Sequence, residues 1–264
     1  MKRSFLTVGL LAIAGAFLFC SCSVGTPKET EGLEYMAYDG SYVVAGYSGS
    51  DVHVVVPDTH EGKEVTGIAE GCFANTDLQS IKLGKNIRAI DDGAFYNASM
   101  LEEVVIPASV EQLGSGYTSA GAFESCTSLE KVTFEKGSRL TAVGYAVFAD
   151  CKALKSIEIP QGVLKIDGSA FRGCSSLERV LLPEGLEFIG DGAFAGATGI
   201  KTLSIPASVS YCGTRVFRDF GEDQIIKING DTSGWWQNSK KNYGYGIIAE
   251  DGWQVGCNAQ IEYK

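Results

Sequence analysis

Seven phenylalanines recur along this chain at nearly even intervals. Phe73, Phe95, Phe123, Phe148, Phe171, Phe194 and Phe217 are separated by 22, 28, 25, 23, 23 and 23 residues. Each stands in a variant of one phrase, clearest over residues 177–196, which read LERVLLPEGLEFIGDGAFAG. A unit this short cannot bury its own apolar side. It must stack on copies of itself, so that every apolar position becomes a column running from unit to unit. The chain is therefore read as a solenoid.

Each unit has two halves. The first alternates apolar and polar residues and ends in proline: LEEVVIP at Leu101–Pro107, LKSIEIP at Leu154–Pro160, LERVLLP at Leu177–Pro183 and IKTLSIP at Ile200–Pro206. This period of two with β-branched residues predicts a short strand. Proline, lacking an N–H, belongs at a strand margin, and five of the six prolines (Pro57, Pro107, Pro160, Pro183, Pro206) hold that position. The second half is a turn followed by an Ile-Gly-x-x-Ala-Phe pattern, with Ile166, Ile189, Ala170 and Ala193 pointing inward and glycine easing the backbone. The expected fold class is an α/β repeat solenoid of leucine-rich-repeat type. A short-stranded parallel sheet forms one face, turns or short helices form the other, and both ends are capped. The strands are too short and the turns too glycine-rich for a βαβ domain.

Residues 1–21 read as a targeting segment, with Lys2 and Arg3 ahead of the apolar run Leu6–Phe19. Ser21-Cys22 resembles the lipobox of bacterial lipoproteins, which makes Cys22 the expected lipidation site. The alternative is an ordinary secretory signal with incidental cysteines. The run is too short for a transmembrane helix. Residues 22–32 form a polar tether and residues 33–72 an N-terminal cap, with Asp39-Gly40 as a hairpin turn. The repeats occupy residues 73–220 and a C-terminal cap residues 221–264. Extra residues lie between Gly114 and Ala122 and around Lys136–Arg139. Insertions in a solenoid map to loops, often on a binding face.

Charge narrows the range of partners. The formal net charge is −10, and removing residues 1–21 makes it about −12. An acidic chain without clustered Lys or Arg argues against nucleic acid as a partner. Eight cysteines in an exported chain first suggest disulfides. However, Cys126, Cys151 and Cys174 share the slot of Ala98 and Ala197, where a small buried side chain belongs, so they read as core residues. No Cys-x-x-Cys pair appears, and no metal or other cofactor is expected. With only His53 and His60 available, a Ser–His–Asp or Cys–His site is formally possible but nothing in the sequence anchors one, and Asp91-Asp92 reads as solvated turn chemistry.

Two surfaces remain as candidates. Outward positions of the Ile-Pro strands place Lys82, Glu103, Lys131, Thr133, Glu158, Arg179, Leu181 and Ser204 on one sheet face. That face is either a binding surface or ordinary solvated strand. Trp235, Trp236 and Tyr243 either cover the open end of the core or form an aromatic platform for sugar rings.

The repeated phrase, best seen over Ile159–Leu177 with AFRGCSSL at Ala170–Leu177, resembles the BspA-like leucine-rich repeat family of bacterial surface proteins. The lead-in over residues 42–68 and the tail over residues 229–257 resemble that family's too. The resemblance implies a right-handed solenoid without catalytic residues, and adhesion or host-protein binding in some members. The expectation is a non-enzymatic envelope lipoprotein held to a membrane by its lipid, in the outer membrane of a Gram-negative bacterium. Whether it faces the surface or the periplasm stays open. It would bind a protein or glycan through the solenoid surface, or else serve as a structural or assembly scaffold of an envelope complex.

Overall fold

A computed structural model describes residues 29–114, 120–232, 235 and 257–264. The elements of the described residues are strands: β1 (Leu33–Tyr38), β2 (Ser41–Tyr47), β3 (His53–Val55), β4 (Thr59–His60), β5 (Lys63–Ile68), β6 (Ser80–Lys82), β7 (Ala89–Ile90), β8 (Glu103–Ile106), β9 (Gln112–Leu113), β10 (Lys131–Phe134), β11 (Ala142–Val143), β12 (Ser156–Glu158), β13 (Lys165–Ile166), β14 (Arg179–Leu181), β15 (Phe188–Ile189), β16 (Thr202–Ile205), β17 (Tyr211–Cys212), β18 (Ile225–Ile228) and β19 (Gln260–Tyr263). No helix of the described residues is long and apolar enough to cross a membrane. The lipobox, with Cys22, lies outside the described residues.

Each solenoid turn carries two short strands, where the sequence suggested one. The first strands stack in parallel in the order β3-β6-β8-β10-β12-β14, and the stack resumes as β16-β18-β19. The second strands stack as β5-β7-β9 and β11-β13-β15-β17. At the N-terminal end, β1 folds back antiparallel on β2, which pairs in parallel with β5. Asp39 (φ 44°) and Gly40 (φ 77°) make the two-residue turn, the primed type that matches strand twist.

The third side of each turn is where turns or short helices were expected; among the described residues turns form and no helix does, so the fold is an all-β solenoid and not α/β. The reason is local. Residues two after the phenylalanine adopt positive φ in all seven units: Asn75, Asn97, Ser125, Asp150, Gly173, Gly196 and Asp219. Residues two before it do so at Gly71, Gly93, Ala146, Ser169, Gly192 and Arg215. A right-handed helix cannot absorb this alternation. The amides then serve the next turn: Phe95 N–H donates to Ala122 O (2.7 Å), Phe171 to Ala193 O (2.8 Å) and Phe194 to Val216 O (3.0 Å).

Inside, the phenylalanines form one stack. Neighbouring ring centroids from Phe73 to Phe217 lie 5.2, 4.7, 5.7, 5.6, 5.4 and 6.3 Å apart, with interplanar angles no larger than 17°. All seven rings are fully buried. Tyr47 covers the N-terminal ring, Phe73, at 5.5 Å, and Phe220 lies against the last, Phe217, at 5.5 Å. Isoleucine, leucine and valine columns surround the stack in one continuous core.

Cys72, Cys126, Cys151, Cys174 and Cys212 are buried in the core, and three of them do more than fill space. Cys126, Cys151 and Cys174 are buried and free. Their thiols donate to the carbonyls of Phe95, Phe123 and Phe148 at 3.1, 3.2 and 3.0 Å. Each therefore ties its turn to the preceding one.

The Ile-Gly glycines serve mainly for close approach between turns. A Cβ on Gly190 would stand 2.4 Å from Gly168 N, and one on Gly144 would stand 2.6 Å from Leu113 O. Neither has positive φ, so space is what these positions require, more than conformational freedom.

Candidate functional site

The strand period of two, applied to β6 through β16, turns alternate side chains outward. Lys82, Glu103, Lys131, Thr133, Glu158, Arg179 and Leu181 are exposed on the sheet of β6 through β14, and Ser204 is exposed on β16 of the next sheet. The register joins them into two rows. One runs His53, Ser80, Glu103, Lys131, Ser156, Arg179. The other includes Val105 beside Thr133 and Glu158 beside Leu181. Val105 and Leu181 are 47% and 40% exposed, so apolar surface is set among the charges.

Ion pairs edge the face but do not consume it. Lys155 pairs with Glu130, Lys201 with Asp223, and Lys227 with Glu262 at 3.6 Å. Lys131 and Arg179 have no ion-pair partner among the described residues. His53, at the start of the first row, shares a hydrogen bond with the Ser80 hydroxyl through Nδ1 at 2.9 Å.

The ladder is interrupted between β14 and β16, where no strand pairing is formed. The Phe194–Phe217 spacing at the same interface is the widest of the stack, 6.3 Å. The turn side stays bonded there, through Gly192 N–H to Thr214 O and Gly196 N–H to Arg218 O, both 2.8 Å. The two turns thus part toward the sheet. A cleft of about 330 Å³ opens on the face, lined by Arg179, Leu181, Thr202, Ser204, Pro206 and Asn229 together with Glu178 and Glu184. Three of the sequence-derived face residues meet in it.

The aromatic platform is corrected in part. Trp235 is 1% exposed, and its indole N–H donates to the Val209 carbonyl at 2.8 Å. Its ring belongs to the core and has no face to offer a sugar. Trp236 and Tyr243 lie outside the described residues.

An aromatic pair that the sequence reading passed over lies on the second sheet. Phe188 and Tyr211 stack with centroids 4.4 Å apart at 2°, and Lys165 Nζ sits 5.4 Å from the Phe188 ring centroid. The 23-residue spacing that links the three positions was visible. Strands of two residues, Phe188–Ile189 and Tyr211–Cys212, are too short to show an outward face by alternation.

Chemistry of other kinds finds little footing. Among the described residues no three His, Cys, Asp or Glu side chains are grouped to hold a metal. Burial pushes the Cys126 and Cys174 thiols up to about 12, which makes them poor nucleophiles. Asp92 is 5% exposed and so is not the solvated turn residue that the sequence suggested. Burial, with Asp92 and Glu70 nearby, raises the Asp91 carboxyl. His60 stacks on Tyr35 at 3.7 Å and meets Tyr42 edge-on at 5.0 Å, a packing role at the N-terminal end.

Comparison with known proteins agrees with this geometry. The profile of the BspA type leucine rich repeat region matches in six copies over residues 58–120 and 117–222, more than half of the chain. No curated protein matches the sequence. Among solved structures, a leucine rich repeat protein of T. pallidum is 22% identical with a TM-score of 0.55, the match covering 83% of this chain and 97% of that one. A leucine-rich repeat protein of Eubacterium ventriosum is 21% identical with a TM-score of 0.55, over 81% of this chain and 52% of that longer one. At these identities the likeness concerns the fold. With its repeats matched along the solenoid, the chain belongs to the BspA-type leucine-rich repeat family.

Proposed function

We propose that this protein is a non-enzymatic, lipid-anchored envelope protein that captures a protein or glycan on the sheet face built by β6 through β16. One observation carries the reading. Exposed apolar side chains and cations that have no ion-pair partner among the described residues share a face that opens, where β14 and β16 part, into a cleft at Arg179, Leu181 and Ser204. Interfaces favour such a mixture, with arginine and apolar contacts inside a polar rim. Family membership supports a binding role over catalysis, and the lipobox around Cys22 supports anchoring in the outer membrane.

The test is a capture screen of extracellular matrix proteins and glycans with the wild-type protein and an Arg179→Glu, Leu181→Ser double variant. The reading requires at least one ligand whose capture is lost in the variant while the folded signal is kept. A ligand held equally by both would move the site elsewhere. One stoichiometric envelope partner and no extracellular ligand would instead favour a scaffold role. Lipid labelling that survives Cys22→Ser would move the anchor to another residue, and a wild type that takes no lipid label would remove the anchor from the account.

A further inference from the structure

We propose that β1 is a self-complementary edge strand through which two copies of this chain pair antiparallel, with Met36 on the two-fold axis. β1 hydrogen-bonds to β2 alone among the described strands. Its other side is paired with no strand of the described residues and forms a sheet edge there. Natural edges are blunted by lysine, proline or a cover, and β1, reading LEYMAY, carries neither lysine nor proline. Instead it exposes Met36 (51%) and Tyr38 (65%) on its outer face.

The hairpin determines which backbone groups are open. Tyr38 and Ser41 flank the two-residue turn and form its hydrogen-bonded pair, and Met36 with Val43 forms the next. Amides and carbonyls of Met36 and Tyr38 therefore face β2, while those of Tyr35 and Ala37 face outward. An antiparallel partner must pair outward groups with outward groups and keep opposed side chains on one face. The register that sets Tyr35 against Ala37 of the second copy meets both conditions and places Met36 against itself.

Side chains favour this register over the one centred on Tyr35. Glu34 then opposes Tyr38 of the second copy, so no carboxylate faces a carboxylate, and the exposed methionines meet at the axis. On the inner face the small Ala37 lies opposite Tyr35, whose ring is already engaged by His60 and Glu29. Sliding the pair by one step to centre on Tyr35 would instead crowd two such rings together. A second copy fits this edge by its own sequence.

The test uses the full chain in a density-matched detergent, by sedimentation equilibrium over a wide concentration range. The expected result is a reversible dimer that Ala37→Pro weakens by at least about tenfold, since proline removes an outward N–H without touching the bonds to β2. Register is read by mild oxidation. Met36→Cys is expected to form an inter-chain disulfide, because residues facing across a non-hydrogen-bonded pair come within bonding range. Tyr38→Cys is not, since its partner position is Glu34. A wild type that stays monomeric throughout overturns the proposal. Equal cross-linking at the two positions, or a dimer indifferent to Ala37→Pro with the fold intact by circular dichroism, overturns it as well.

Discussion

Phe95 and Phe123 lie parallel within 2°, their ring centroids 4.7 Å apart, the closest contact of the stack. They are also separated by the longest unit in the chain, 28 residues. The greater length of this unit leaves the stack undisturbed. The phenylalanine column sets the pitch of the solenoid, and unit length adapts to it.

Removing a central ring has a calculable effect. Phe123→Ala leaves a cavity flanked by Phe95 and Phe148 and is expected to cost about 3–5 kcal/mol. Because each turn contacts only its neighbours, the loss should also split a single thermal transition into two. Calorimetry checks both, and one sharp transition with a small shift would contradict the stack's role.

Gly190→Ala tests the close approach of turns. The added methyl group would meet Gly168 N and the Asp167 carbonyl carbon, at 2.4 and 2.7 Å, and both are backbone atoms that cannot rotate away. A loss of more than about 2 kcal/mol is expected, larger than the gain alanine gives at an unhindered glycine. Denaturant unfolding of this variant beside Gly62→Ala, whose Cβ has open space around it, separates crowding from backbone conformation.

The thiol ladder predicts silence toward reagents. Cys126, Cys151 and Cys174 are buried and their thiols are held well protonated. They should resist thiol labelling in the native state and react fully in denaturant. Cys151→Ala should cost only about 1–2 kcal/mol, since Ala98 and Ala197 already fill the same slot in other turns. Native-state mass spectrometry after labelling reads the first point and chemical denaturation the second.

Asp167 gives a pH dependence of definite sign. Burial raises its carboxyl in the folded state, opposed in part by Lys165. The folded chain thus holds this proton more tightly than the unfolded chain. The associated stability is complete below the ordinary carboxylate range and is lost as pH rises through the raised value. Asp167→Asn should match wild type under acid conditions and exceed it at neutral pH, by less than about 1 kcal/mol because the half-exposed group is screened. Paired melts at both pH values check the crossing.

The parts of the fold that follow from side-chain period were legible in the sequence. The Ile-Pro strands, the inward phenylalanines and the outward residues from Lys82 to Ser204 all come from alternation and spacing. Helix against turn could not be read that way. It depends on backbone angles at positions such as Ala146 and Arg215, which carry no glycine or asparagine to announce positive φ. The second strand stack was hidden because two-residue strands such as Phe188–Ile189 are too short to show a period. The cleft beside Arg179 arises from a missing strand pairing between turns, which no single turn's sequence encodes.

The most direct test of the binding face is photo-crosslinking on intact cells. A photoreactive residue in place of Leu181, in the cleft, is compared with one in place of Leu164, which is equally exposed but lies off that face. The account predicts a discrete adduct from the Leu181 position and none from the Leu164 position. Adducts of equal yield from both, or from Leu164 alone, would contradict it.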